Sequence, residues 1–397
     1  MKTIGNNRLA KVVCVTMALV VSTSSAFALP PDPDNAALLY YQAYLLYQQP
    51  DDTMADMVAD LAQGKIEPNP EIKKHIESCR SAIDLVVTAA DMANCDWGLK
   101  FSDGFSMEMA HLGQTRRMVF LIIAEARVLA SEGAYRQALE RCLTVRKMAR
   151  HIGDETFISI LVSIVISRMA NNCIPDILAD MPKDLETLTW LKNRLLVVTG
   201  RALSIKTALK TEREVALESM RLEKVKELLA EILAGEAIAP GSKEAELLRT
   251  VDENFMEKSR DYYSSFMDSL QAILDAGGPY TKTYAELKEL SEKPQKDGAE
   301  NTAATLTAAL APALYKIYGQ EVRAKTHSNA LRTAVDVYII KAKTGRLPDR
   351  LPAGSPKDLF SGKDFEYQKT KDGFVLRCRG RDLVKDEIPQ YEFKIKR

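Results

Sequence analysis

The chain has 397 residues, of which 54 are basic and 54 are acidic, so its formal net charge is zero. This balance argues against the strongly basic surface of a nucleic-acid-binding protein, and the sequence has no polybasic patch for a membrane surface. The length is ample for a sizeable core and suggests about two or three structural units.

The first 28 residues have the features of an export signal. Three basic residues precede a short apolar run at 12–21, and Ala26-Phe27-Ala28 has the small-x-small form that signal peptidase prefers. The run is too short for a membrane span, which needs roughly 20 residues. We therefore predict cleavage after Ala28, a periplasmic or secreted protein, and no stable membrane insertion afterwards. An uncleaved anchor is the alternative. No later stretch is predicted to span a membrane.

The cysteines predict free thiols. Five remain after signal cleavage, an odd and sparse set that does not indicate a disulfide framework. A single helix over 70–93 would place Cys79 and Cys95 roughly 20 Å or more apart, whereas a disulfide needs Cα atoms within about 7 Å. We expect buried thiols that behave as small apolar groups. The five are Cys79, Cys95, Cys142, Cys173 and Cys378.

The loop 94–104 (NCDWGLKFSDG) interrupts the helical pattern of the N-terminal part. A helix rich in Leu and Tyr over 36–49 and a helix over 70–93 are predicted before it. Trp97, Asp96 and Asp103 are candidate binding residues, because loops with aromatic and acidic side chains often carry function. The alternative is a loop that Trp97 and Phe101 anchor to the core.

Two candidate catalytic groups lie in the Glu-x-x-His sequence after this loop. Glu108 and His111 would share one face of a helix that is predicted from about Ser106, the spacing used in di-iron bundles. No second copy of the motif occurs, so no metal site is predicted. The alternative is a hydrogen bond or salt link on the helix surface.

Glu125 is the third candidate catalytic group, because it interrupts the apolar stripe Met118, Ile122 and Leu129. A carboxylate on an inward face must be ion-paired or have a raised pKa, and a raised pKa would suit acid–base work. The candidate partners are Arg116, Arg117, Arg127 and Arg141.

Three helices are predicted across 114–169, separated by Glu132-Gly133 and Gly153-Asp154. The segment GAYRQAL at 133–139 resembles the inter-helix turn of a tetratricopeptide repeat, in which Gly permits the turn while Tyr and Ala interlock the helices. No second copy follows at a period of 34 residues, so the resemblance implies one repeat-like hairpin. The segment 157–169 is apolar nearly all round, which predicts a buried central helix.

Apolar residues at three- and four-residue spacing predict a long helix over 184–235, and a second helix follows the Gly- and Pro-containing break at 235–242. Together they predict an antiparallel helical hairpin, which is either a partner-binding arm or an ordinary bundle segment. A further helix over about 303–343, kinked at Pro312, should end at Gly345.

Alternating apolar residues then predict a three-stranded antiparallel meander with a hairpin turn at Lys371-Asp372-Gly373. The segment 345–382 resembles the C-terminal part of type II secretion pseudopilins, which also place a long helix before a small sheet. Many pseudopilins bind calcium in the loop before the last strand. Asp382, Asp386 and Glu387 lie in that region and are the candidate metal ligands, although the expected Asp-Gly pattern is absent and no cofactor is predicted.

The predicted fold is mainly α: a body resembling tetratricopeptide repeats or a helical bundle, a long helical hairpin, and a small C-terminal three-stranded antiparallel sheet packed on a helix. The predicted division is a signal peptide (1–28), a helical unit (29–182), the hairpin (183–290) and a helix-plus-sheet unit (301–397). The CDWGL, EGAYRQAL and ARHIGDE segments together resemble a family of exported bacterial helical proteins, which implies a fold and a compartment but no activity.

No P-loop, dinucleotide fingerprint, zinc-type Cys/His spacing or nucleophile elbow occurs in the sequence. The leading hypothesis is therefore a non-enzymatic interaction or scaffold protein of the bacterial envelope. It would bind a protein partner and no nucleic acid, and the sequence does not determine its number of subunits. One alternative is an exported metal-dependent or acid–base hydrolase that uses Glu108, His111 and Glu125. A second alternative is an accessory part of a pilus-like or secretion assembly.

Overall fold

A computed structural model describes residues 33–153, 155–199, 204–227, 251–298, 301, 303–310 and 313–395. The predicted signal peptide and its cleavage site lie outside the described residues. The fold is mainly α with one small three-stranded antiparallel sheet at the C-terminal end, as predicted. Residues from Asn35 onward form one compact unit, and the boundaries predicted within it stay predictions.

Four helices open the described chain, and three of them begin at a side-chain cap. Asn35, Asp51 and Asn69 each accept a hydrogen bond from a backbone N–H of the first turn that has no partner within the helix. The predicted single helix over 70–93 is wrong: it breaks at Cys79, where φ is −95° and ψ is 8°. The helices are α1 Ala36–Leu46, α2 Asp52–Ala62, α3 Pro70–Ser78 and α4 Arg80–Asp91.

The three predicted central helices are present, and glycines separate them. Gly133 (φ 80°) and Gly153 (φ 79°) adopt the left-handed region in which an L side chain is strained. The first of these helices starts at Ala110 rather than near Ser106, because a 3-10 helix and an extended segment precede it. The elements are the 3-10 helix Phe101–Ser106, α5 Ala110–Ser131, α6 Tyr135–Ile152 and α7 Phe157–Asp180.

Helix α7 is the central helix of the fold. It contacts α5, α6 and the long helix Leu314–Thr344, and its first half packs into a different core from its second half. By length and apolar composition it could cross a membrane, and 56% of its most apolar window is buried inside the protein. The prediction that no stretch after the signal is long and apolar enough to span is therefore wrong. The same composition suits a helix buried on most sides.

The predicted continuous helix over 184–235 is wrong. It stops at Thr199, restarts at Ile205 with the Ser204 hydroxyl accepting a hydrogen bond from the Lys206 N–H, and stops again at Ser219. Its first part packs mainly on α6 and on the long helix Leu314–Thr344, whereas its second part packs mainly on the 3-10 helix Phe101–Ser106, on helix 253–276 and on α7. Residues 228–250 lie outside the described part. The helices are α8 Leu185–Thr199, α9 Ile205–Ser219, α10 Glu253–Ala276 and α11 Tyr280–Asp297.

The C-terminal part consists of two helices and the sheet. The long helix ends where Gly345 adopts φ 79°, as predicted, while Pro312 and its predicted kink lie outside the described residues. The strand order is β1-β2-β3, with Lys371 and Asp372 forming the turn between the first two. The Phe374 ring packs edge-on against Tyr338, so the sheet lies on the long helix. The elements are α12 Ala303–Leu310, α13 Leu314–Thr344, β1 Glu366–Thr370, β2 Gly373–Arg377 and β3 Gln390–Lys394.

Two hydrophobic cores lie within this unit, and both α7 and α13 contribute to each of them. The first core joins α1–α8 to α13 and the sheet, and the second joins α9 and α10 to the first turns of α7 and α13. The five described cysteines are free, as predicted; four are buried and Cys95 is half-buried. The two cores meet along the seam between α7 and α13, where the candidate site lies.

Candidate functional site

Trp97 anchors the loop 94–104 to the core. Its indole Nε1–H donates to the His151 carbonyl at 2.6 Å, and its ring stacks between Tyr40 and His111 at centroid distances of 5.4 and 4.5 Å. The side chain is only 5% exposed. The other two candidate binding residues of this loop contact residues of the loop itself. Asp96 accepts a hydrogen bond from the Gly98 N–H, and Asp103 forms an ion pair with Lys100.

The predicted placement of Glu108 and His111 on one helical face is wrong. Glu108 is exposed in the extended segment before α5, whereas His111 lies in the first turn of the helix under the Trp97 ring. Burial lowers the pKa of His111 to about 4, and its Nε2 has no hydrogen-bond partner among the described residues. A histidine held neutral against an indole is a packing residue at neutral pH.

His151 on α6 continues this aromatic cluster. Its Nε2 faces the Met92 carbonyl, which can only accept, so Nε2 carries the proton and Nδ1 accepts the Tyr40 hydroxyl at 2.9 Å. Burial and the neighbouring Arg150 charge lower the pKa of His151 to about 4. We call Tyr40, Trp97, His111 and His151 the Trp97 cluster. Its rings pack against one another or form hydrogen bonds, and they join α1, the loop 94–104, α5 and α6.

Glu125 is ion-paired, which was one of the two outcomes predicted for it. Its carboxylate is 2% exposed and accepts from Arg80 Nη1 at 2.5 Å and from Arg141 Nε at 2.6 Å. Arg141 was a predicted partner and Arg80, on α4, was not. Glu125 lies 14 positions after His111, which corresponds to roughly 21 Å along the helix axis. The structure therefore does not bring Glu108, His111 and Glu125 into one site.

The three candidate calcium ligands near the last strand bind arginines instead. Asp382 is fully buried and accepts from Arg323 Nε at 2.5 Å, while Glu387 accepts from the same guanidinium at 2.7 Å. Asp386 pairs with Arg381. Among the residues that the structure describes, no group of three or more His, Cys, Asp or Glu side chains could hold a metal ion.

A cavity of 260 Å³ is lined by residues of both α7 and α13, and we call it the basic cavity. Helices α6, α7, α8 and α13 form its walls, together with one residue from the segment that joins α13 to β1. Its charged lining is mostly positive, and its polar lining is otherwise hydroxyls and amides. The lining residues are Arg146, Arg150, Ile164, Ser167, Asn171, Val198, Glu321, Ala324, Lys325, Ser328, Asn329, Arg332 and Leu359.

Arg146 is the buried cation of this cavity, with 7% of its surface exposed. Its guanidinium donates to the Asn171 amide oxygen on α7 and to the Ser328 hydroxyl on α13 at 3.0 Å, and its Nε has no described partner. Both acceptors are neutral. Burial and the nearby charge of Arg332 lower the pKa of Arg146 to about 10, so it remains a cation at neutral pH.

Arg150 and Arg332 add two more positive charges that no described carboxylate neutralises within 4.0 Å. Both are half-buried. The remaining two charged groups cancel, because Lys325 pairs with Glu321 at 2.5 Å and the same Glu321 carboxylate accepts the Ile205 N–H at 2.8 Å. The described lining therefore carries three uncompensated positive charges around one small volume.

A larger cavity of 770 Å³ lies between α7, α13 and β3 and shares Asn171 with the basic cavity. Its charges balance, since three arginines face three carboxylates. His327 lies there, stacked on Tyr391, with its pKa lowered to about 4 by burial and by Arg146, Arg168 and Arg323. The charged residues of this cavity are Arg168, Arg323, Arg377, Asp176, Glu387 and Glu392.

Sequence reasoning missed the basic cavity, although one signal was present. Arg146 interrupts the buried stripe Leu139, Cys142 and Ala149 of α6 in the same way as Glu125 interrupts that of α5. Arg332 and Asn171 gave no such signal, because only the packing of α6, α7 and α13 brings them to Arg146. The near-zero net charge of the whole chain also gives no sign of the local excess of positive charge around the basic cavity.

Comparison with known proteins assigns no family: no protein-family model matches the chain, and neither a curated protein nor a solved structure matches it.

Proposed function

We propose that this chain is an exported, non-enzymatic binding protein of the bacterial envelope and that the basic cavity holds an anionic group of its ligand. One observation carries the proposal: Arg146 is buried beside two further cations without a carboxylate partner among the described residues. Burying an unpaired charge costs several kcal/mol. A bound anion would offset that cost and would gain charge-assisted hydrogen bonds.

Binding is favoured over catalysis by the chemistry of the lining. The described lining contains neither histidine nor cysteine, and Glu321 is held by Lys325 and by a backbone N–H. The described lining therefore lacks the side chain that most often serves as a general acid or base, which is histidine. Away from the cavity, Glu125 is ion-paired and His111 is covered by Trp97, which supports binding over the hydrolase alternative.

The export part of the proposal is supported by the three signal features within residues 1–28. Its test is fractionation of bacterial cells that express the full chain, followed by mass spectrometry of the mature N-terminus. We expect a periplasmic or secreted protein that begins at Leu29. Recovery of the uncleaved chain with the membrane would contradict it.

The test of anion binding is isothermal titration calorimetry at constant ionic strength, with sodium acetate, inorganic phosphate and 4-methylpentanoate. Arg332→Met removes one cation of the cavity without removing a described hydrogen bond, and Arg346→Met removes an exposed cation beyond the end of α13. We expect saturable 1:1 binding that Arg332→Met weakens about tenfold or more and Arg346→Met leaves within twofold. Absence of binding by all three anions, or equal binding by both variants, would contradict the proposal.

A further inference from the structure

The basic cavity has an apolar part beside its cations. Ile164 on α7, Val198 on α8, Ala324 on α13 and Leu359 line it, and they come from four different segments. A site for an inorganic anion needs only donors, and apolar walls beside it would make the cations harder to bury. The mixed lining therefore indicates a ligand that has an apolar portion as well as a charge.

The volume limits how large that ligand is. The cavity measures 260 Å³, just below the roughly 300–1,000 Å³ that is usual for ligand pockets. This space suits a charged head with a short aliphatic chain, and it is small for a nucleotide or an oligosaccharide.

The arginine donors and the small volume of the cavity indicate the head group. Arg332 makes no described hydrogen bond, and Arg146 and Arg150 lie beside it in the same lining. An arginine fork binds a flat carboxylate through two parallel N–H donors. The Glu321–Lys325 pair adds no net charge to the lining, and the 260 Å³ volume leaves room for one carboxylate head beside the apolar residues.

Resting on the proposed anion-binding function, we infer that the ligand is an aliphatic monocarboxylate. The head of this ligand contacts Arg332. Further positive charge comes from Arg146 and Arg150, and the aliphatic chain lies against Leu359 and Ile164. This chemistry has two sources, a free short-chain acid and the apolar C-terminal residue of a peptide.

The experiment compares ligands that share one part and differ in the other. Acetate is the head alone, 4-methylpentanamide is the chain without the charge, 4-methylpentanoate is both, and N-acetyl-leucine represents a peptide C-terminus. Leu359→Ser removes apolar surface at a residue that is 36% exposed, and Arg332→Met removes charge. Binding is measured by calorimetry with the full mature protein, and circular dichroism confirms that both variants are folded.

We expect 4-methylpentanoate to bind at least tenfold more tightly than acetate, since each buried methylene adds about fourfold. The amide should bind at least tenfold more weakly than the acid. Leu359→Ser should weaken 4-methylpentanoate about three- to tenfold while leaving acetate within twofold, and Arg332→Met should weaken both. If 4-methylpentanoate binds more tightly than N-acetyl-leucine, the source is a free short-chain acid. If N-acetyl-leucine binds more tightly, the source is the C-terminus of a peptide.

Two results would overturn the inference while leaving the proposed function intact: acetate and 4-methylpentanoate binding equally through Arg332, or inorganic phosphate binding more tightly than either. Binding by none of the anions would remove the proposed function as well.

Discussion

Arg146 on α6 donates a hydrogen bond to the amide oxygen of Asn171 on α7. This contact is a buried cation bound to a neutral acceptor, and both residues line the basic cavity. A structural arginine in such a place would be expected to have a carboxylate partner, as Arg141 has in Glu125. The half-buried Arg141 has a carboxylate partner and the buried Arg146 has none among the described residues, which distinguishes a structural ion pair from the proposed binding site.

The first prediction follows from that difference. Arg146→Met should change the free energy of unfolding by no more than about 1 kcal/mol, or should raise it, because it removes an unneutralised buried charge. Asn171→Leu should lower it by about 1–3 kcal/mol, because Arg146 then keeps its charge and loses an acceptor. Urea denaturation of both variants measures this. A loss of 3 kcal/mol or more in Arg146→Met would make Arg146 a structural residue instead.

The second prediction concerns the buried carboxylate of α5. Arg141→Met should lower the free energy of unfolding by about 3 kcal/mol, because Glu125 would stay buried with only Arg80 as a partner. The matched control is Lys65→Met, which removes one partner of the exposed Lys65–Asp60 pair and should cost less than about 1 kcal/mol. Equal losses in the two variants would show that the Glu125 pair behaves as a surface salt bridge.

The third prediction tests Trp97 as the anchor of the loop 94–104. Trp97→Phe keeps an aromatic ring between Tyr40 and His111 but leaves the buried His151 carbonyl without its indole donor. We expect a loss of about 1–3 kcal/mol in the free energy of unfolding. The control is Phe101→Leu at a ring that is 36% exposed, which should cost less than about 1 kcal/mol. A Trp97 variant as stable as the control would leave the loop without its proposed anchor.

The fourth prediction is a loss of stability in acid. The pKa values of His111, His151 and His327 are lowered to about 4 by burial, with nearby arginine charges adding to the effect at the last two. The unfolded chain binds protons on these rings near pH 6.5, before the folded chain does. Their contribution is therefore complete above about pH 6.5 and is lost as the pH falls towards 4, by roughly 3 kcal/mol for each histidine.

The measurement for this prediction is urea denaturation at several pH values between 4.5 and 7.5. His111→Phe should flatten the pH dependence, because His111 makes no described hydrogen bond through Nε2 and a phenyl ring can take its place under Trp97. An unchanged slope in this variant would show that His111 is not one of the titrating groups.

The regular elements could be predicted from local patterns, whereas the site could not. The glycine turns at Gly133 and Gly153, the end of α13 at Gly345 and the three-stranded meander all follow from residues close in sequence. The break at Cys79 has no glycine or proline at the break itself, and it follows from where the two segments pack. The helical pattern alone could not show it.

Pairing across the fold was predictable only in part. The sequence predicted either a cation partner or a raised pKa for Glu125, and Arg141, 16 residues away on the next helix, was one of the four candidate partners. Arg80 comes from a helix 45 residues earlier and was missed. The basic cavity depends on still longer separations: Arg146 and Ser328 are 182 residues apart and meet only after α6, α7 and α13 have packed.

The most direct test of the basic cavity is a crystal structure of the mature protein with saturating 4-methylpentanoate. The predicted result is one ligand in the cavity, with its carboxylate within hydrogen-bond distance of the Arg332 guanidinium and its methyl groups against Leu359. An empty cavity in crystals grown at a concentration that saturates the protein in solution, or a ligand bound elsewhere, would contradict the proposed site.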